Sequence, residues 1–149
     1  MDKEIQALLQ EAISQAEISH EFYRDLAASM DQRETRDIFQ YLAGNELQHK
    51  TFLERWLAGE VCPVTPPVSD FHLSDLLELP RLTQKLSPKE ALALAIKRKE
   101  ASYKFYQSLA NLQPAGEVKE FLNKIALMKL ADKEQLEDLF DNVAFPEVW

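Results

Sequence analysis

Two stretches of this chain repeat one another without a gap at a constant offset of 83 residues. Glu17 falls on Glu100 (100 − 17 = 83), and Ser19, Phe22, Tyr23, Leu26 and Ala27 fall on Ser102, Phe105, Tyr106, Leu109 and Ala110. The match continues through a turn: Glu34, Ala43, Leu47, Lys50, Leu53 and Glu54 fall on Glu117, Ala126, Leu130, Lys133, Leu136 and Glu137. Any two amphipathic helices share some apolar positions, but an ungapped run through a turn asks for more than amphipathicity. The pattern reads as two copies of one helical hairpin, related by an approximate two-fold axis.

The apolar residues recur at steps of three or four, the buried stripe of an amphipathic helix. The first helix is predicted from about Lys3 to about Met30, with Ile5, Leu9, Ile13, Glu17, His20, Tyr23 and Ala27 on its stripe. Asp31 and Glu34 are spaced as a capping box for the second, whose stripe is Ile38, Leu42, Glu46, His49, Leu53 and Trp56 and which Gly59 should end. Between residues 60 and 86, Pro63, Pro66, Pro67 and Pro80 exclude a continuous helix, although Ser74 to Leu82 suits a short one. Ser87, Pro88 and Glu90 mark the start of the third, with Leu92, Ile96, Glu100, Tyr103, Tyr106 and Ala110 on its stripe. Pro114 and Gly116 break the chain before the fourth, which carries Val118, Phe121, Ile125, Lys129, Asp132, Leu136 and Leu139. Short turns join the helices within each pair, so each pair is an antiparallel hairpin. The connection of about 27 residues between the pairs is long enough to cross a bundle about 39 Å high. The expected fold is all-α: a ferritin-like four-helix bundle with one long crossover, in a single domain spanning residues 1–149.

A formal net charge of −8 makes nucleic acid and anionic membrane surfaces poor partners. No apolar run approaches the roughly 20 residues that span a bilayer. The N-terminal segment is charged and amphipathic, unlike a secretory leader, so a cytoplasmic protein is expected. Cys62, the only cysteine, can form neither an internal disulfide nor a four-cysteine metal site. The tail FPEVW ends in apolar residues suited to packing.

The polar residues on the stripes carry the chemistry. Glu17, His20, Glu46, His49, Glu100, Lys129 and Asp132 sit where apolar residues belong. Ionised groups there are costly unless paired or bound to metal, and converging carboxylates need cations between them. Di-iron and di-manganese bundles meet this need with a Glu from each of two helices and a Glu-x-x-His from each of the other two. Here the first helix supplies Glu17, the third Glu100, and the second Glu46-x-x-His49.

On EISHEFYRDLA in the first helix, NELQH in the second and KEASYKFYQSLA in the third, the sequence resembles the rubrerythrin diiron-binding domain over nearly its whole length. A Glu followed six residues on by a Tyr, as in Glu17 with Tyr23 and Glu100 with Tyr106, is part of that resemblance. It implies iron binding by Glu17, Glu46, His49 and Glu100, peroxide reduction in many members, and homodimers. An oxidoreductase of this kind needs an electron donor, for which a partner protein is one source. Full rubrerythrins also carry a four-cysteine iron module, which one cysteine cannot build.

The fourth helix departs from the pattern. The offset maps Glu46 to Lys129 and His49 to Asp132. In the family this Glu bridges the two metals and this His binds the second; a lysine ammonium cannot bridge metals, whereas Asp132 is a possible ligand with a short side chain. Glu17, Glu46, Glu100 and Asp132 contribute −4, and Lys129 with one divalent ion contributes +3. Lys129 therefore stands in for one metal, leaving at most one ion of iron, manganese or zinc per chain, held by Glu17, Glu46 and His49, with Glu100 as a further candidate. His20 is either an extra ligand or a hydrogen-bonded core histidine. Tyr23 and Tyr106 pack and hydrogen-bond near the ligand carboxylates. Three functions follow: an oxidoreductase acting on peroxide or dioxygen, a metal binder without turnover, or a non-catalytic helical interaction module whose site is a buried Lys129–carboxylate cluster.

Overall fold

In the computed structural model, which describes residues 2–60, 68, 70 and 72–144, the elements are α1 (Lys3–Ser29), α2 (Arg33–Leu57), a 3-10 turn (Leu73–Leu76), α3 (Pro88–Asn111) and α4 (Glu117–Ala144). No strand occurs among the described residues. No helix among them is long and apolar enough to cross a membrane. Cys62 and the FPEVW tail lie outside the described residues.

Local chemistry sets most of the helix ends. The Asp2 carboxylate accepts from the amides of Glu4 and Ile5 at the start of α1. α3 begins with a complete capping box: Ser87 Oγ accepts from the Glu90 amide, and Glu90 Oε1 accepts from the Ser87 amide. α2 ends in a Schellman motif, with the Gly59 amide donating to Trp56 O and the Glu60 amide to Arg55 O. Gly59 has φ 81, the left-handed conformation that this motif needs and glycine adopts without steric cost.

Two expectations need correction. Asp31 and Glu34 do not cap α2; its N-cap is Gln32, with no side-chain cap bond. The Asp31 amide donates instead to Gln84 O, and buried Thr35 Oγ1 donates to Leu86 O at 2.6 Å. A distant stretch of chain thus bonds to both sides of the α2 start, where no local cap forms. The helix expected within residues 74–82 is shorter and earlier, a single 3-10 turn that gives way to extended chain before Pro80.

The molecule divides into two compact units. In the first, α1 and α2 pack as a hairpin with residues 83–86 against them. Its core includes Leu9, Ala12, Ala16, Tyr23, Phe39, Leu42, Leu53 and Trp56. In the second, α3 and α4 pack as a hairpin, with the 3-10 turn against α3. Its core includes Leu92, Ile96, Tyr106, Phe121, Leu122, Ile125, Leu136 and Phe140. The repeat survives as geometry: Phe22 meets Tyr23 edge-on at 5.3 Å, and Phe105 meets Tyr106 edge-on at 5.4 Å.

Candidate metal centre

In the first hairpin, three-residue spacing puts Glu46 and His49 on one face of α2. Glu46 is buried, and its Oε2 lies 3.8 Å from His49 Nδ1. Glu17, half-buried on α1, accepts a hydrogen bond from Lys50 Nζ at 2.6 Å. That bond is the main reason the Glu17 carboxyl is held below its ordinary range and the Lys50 ammonium above its own. His20 Nδ1 lies 2.8 Å from Ala43 O. A carbonyl only accepts, so Nδ1 carries the proton and donates; His20 is tied to the backbone of α2. Tyr23 is buried and stacks on Phe39 with ring centroids 6.1 Å apart.

The second hairpin has different chemistry at the same positions. Lys133 on α4 has no solvent exposure. Its Nζ lies 2.8 Å from Asp70 Oδ1 in the connecting segment and 3.8 Å from Glu100 Oε1 on α3. Lys104 Nζ lies 3.2 Å from the same Glu100 oxygen. Burial pushes the Glu100 carboxyl up, but the Ser74 hydroxyl and the ammonium groups of Lys104 and Lys133 outweigh it and leave the carboxyl below its ordinary range. Ser74 is fully buried in the 3-10 turn that precedes α3. Burial pushes the Lys133 ammonium down, but Asp70, Glu100 and Glu137 outweigh it and leave it raised. Lys99 and Asp132 form a second ion pair, 3.5 Å apart, with side chains 9% and 23% exposed.

Within the first hairpin, Glu46 and His49 come together while Glu17 is engaged by Lys50; within the second, Glu100 is engaged by Lys133 and Lys104, and Asp132 by Lys99. Lys129, read from the sequence as the cation among the carboxylates, is half-buried; the fully buried lysine of α4 is Lys133. Both positions lie on the buried face of α4, which runs through Leu122, Ile125, Ala126, Leu130, Lys133, Leu136, Glu137 and Phe140. Sequence reasoning missed Lys50, Lys99, Lys133 and Asp70 as members of these clusters. For two of them the signal was present: Lys50 follows Glu17 by 33 residues, and Lys133 follows Glu100 by 33.

These residues do not fit a two-ion centre. Such a centre needs a bridging carboxylate and an imidazole from the fourth helix. α4 offers an ammonium at 129 and, at 132, a carboxylate already paired with Lys99. Among the described residues, no three His, Cys, Asp or Glu side chains gather to hold an ion.

Long paired helices with carboxylates at mid-length and a Glu-x-x-His define the ferritin-like class of all-α carboxylate bundles, which is the fold class of this chain. Within that class the chain matches the Rubrerythrin family model over residues 7–129, and it belongs to that family, a ferritin-like diiron carboxylate family. The match ends at Lys129, so Asp132 and Lys133 lie beyond it. No curated protein and no solved structure matches the chain.

Proposed function

We propose that this rubrerythrin-family protein binds at most one divalent ion per chain, of the iron, manganese or zinc type. The first hairpin holds it through Glu46 and His49, with Glu17 as third ligand once Lys50 swings away. Such a protein is not a two-iron peroxidase, because two-electron reduction of peroxide draws on a pair of irons. The observation that supports this reading is the asymmetry of the repeat. Glu46 and His49 remain a pair on one face of α2, whereas the matching positions of α4 are Lys129 and Asp132. Imidazole and carboxylate together suit these borderline metals. Lys50 is partly exposed, with 28% of its side chain in contact with solvent, so releasing Glu17 does not bury a bare ammonium.

Metal analysis of protein purified with iron or manganese supplied tests the proposal. The expected result is one ion per chain, lost on Glu46→Gln or His49→Ala. Two ions per chain overturn it. A second reading, a non-catalytic interaction module with no metal, is favoured by Lys50 on Glu17 and Lys133 on Glu100, and zero ions at every supply would select it. In either case, peroxide turnover with an external electron donor should stay at the level of free metal.

A further inference from the structure

The connecting segment, α3 and α4 bring three carboxylates together around Lys133. Asp70 and Glu100 lie within ion-pair distance of its ammonium, and Glu137, one turn further along α4, is 2% exposed. Carboxylates gathered in a poorly solvated interior repel one another and must share a positive charge, a proton or a metal ion. An ammonium with no exposure needs anions as much as they need it.

We infer that Lys133 is the resident cation of the second hairpin: it balances Asp70, Glu100 and Glu137 as a bound divalent ion otherwise would, and Glu100 is thereby an ion-pair partner and not a metal ligand. Three further observations point the same way. First, Lys50 and Glu17 repeat the contact in the first hairpin, but with side chains 28% and 39% exposed. Water can replace either partner there, while Lys133, at 0% exposure, has no such route. Second, the connecting segment adds Asp70 and buried Ser74 to the Glu100 side. Third, the position that matches Ala16 is Lys99, and it neutralises Asp132, the residue that matches His49. Each position of this hairpin that corresponds to a family ligand is thus a lysine or faces one. The inference does not require the first hairpin to bind an ion.

The test uses the full chain stripped with chelator, with Mn²⁺ and Zn²⁺ as probes. Glu100→Gln should leave the number of ions bound by the protein unchanged. Lys133→Met should melt well below the parent without metal. It should regain about 5–10 °C of that loss at Mn²⁺ concentrations that move the parent by less, since an ion binding only the folded state stabilises it by mass action. Lys133→Arg, which keeps the charge, should need no metal. Loss of a bound ion on Glu100→Gln would overturn the inference. So would a Lys133→Met protein that melts with the parent and gains nothing from metal. If Lys133→Met does not fold, the same comparison is made with Lys133→Gln. A parent chain that binds no ion sinks the proposed function instead, and the melting of the Lys133 variants then decides the inference by itself.

Discussion

Asp132 pairs with Lys99 at 3.5 Å, at the two positions where the first hairpin carries His49 and Ala16. A lone His-to-Asp exchange would have left a part-buried carboxylate beside an apolar residue. A lone Ala-to-Lys exchange would have buried an ammonium. The two changes offset each other only together, so this position of the repeat has the chemistry of an ion pair in one copy and of an imidazole beside an alanine in the other.

The two residues should therefore be energetically coupled. Asp132→Asn alone is expected to cost about 1–3 kcal/mol, because it leaves the buried Lys99 ammonium short of an anion. Lys99→Met combined with Asp132→Asn should cost less than the sum of the single changes, by roughly 1 kcal/mol. Urea unfolding of the four proteins closes this cycle, and strict additivity would show that the pair contributes nothing.

The pH dependence follows from the same network. Glu17, Asp70 and Glu100 titrate below their ordinary values in the folded protein. Their stabilising contribution is present above the unfolded values of 4.5 for glutamate and 3.8 for aspartate, and it is lost as pH falls through the lower folded values. Lys50 and Lys133 are raised, so their contribution is present below 10.5 and is lost as pH climbs through the higher folded values. Urea midpoints of chelator-treated protein should therefore stay level across neutral pH and fall toward both extremes. Glu100→Gln should flatten the acid limb.

Copying the first hairpin into the second should restore metal capacity. Lys99→Ala, Lys129→Glu and Asp132→His give α3 and α4 the residues found at the matching positions of α1 and α2. Equilibrium dialysis should then show the ion count rising by up to one per chain. Adding Lys133→Met separates the two ways this can fail. A gain only with that change means that Lys133 keeps Glu100 closed, and no gain in either background means that the register drawn from the repeat is wrong.

Two stability predictions test the fold without touching the site. Thr35→Val removes the donor to Leu86 O in a fully buried setting and should cost about 1–3 kcal/mol. Ser87→Ala removes the accepting half of the α3 capping box and should cost about 1 kcal/mol. Denaturant titration measures both, and an unchanged midpoint for Thr35→Val would mean that residues 83–86 are not held against α2.

What could be read in advance depended on the range of the interactions concerned. Helix periodicity, the Ser87–Pro88–Glu90 start, the Gly59 stop and the Pro114–Gly116 break are settled within a few residues, and each lies where the sequence predicts. The start of α2 is not local. Its partners are Gln84 and Leu86, about fifty residues on, and nothing near Asp31 announces them.

The candidate site divides along the same line. Side-chain type and spacing alone selected Glu17, Glu46, His49 and Glu100 as mid-helix residues in need of cations, and placed Lys129 and Asp132 where the family has Glu and His. Only the tertiary structure decided which cation meets which carboxylate: Lys50 with Glu17, Lys99 with Asp132, and Lys133 with Glu100 and Asp70, the last of these 63 residues away in sequence. The physical reason lies in the lysine side chain. Its flexible four-carbon stem lets one backbone position send the charge to solvent or to the core. The choice falls to whichever anions the packed helices and the connecting segment bring within a few ångströms, where a charge pair is strongest and water is scarcest.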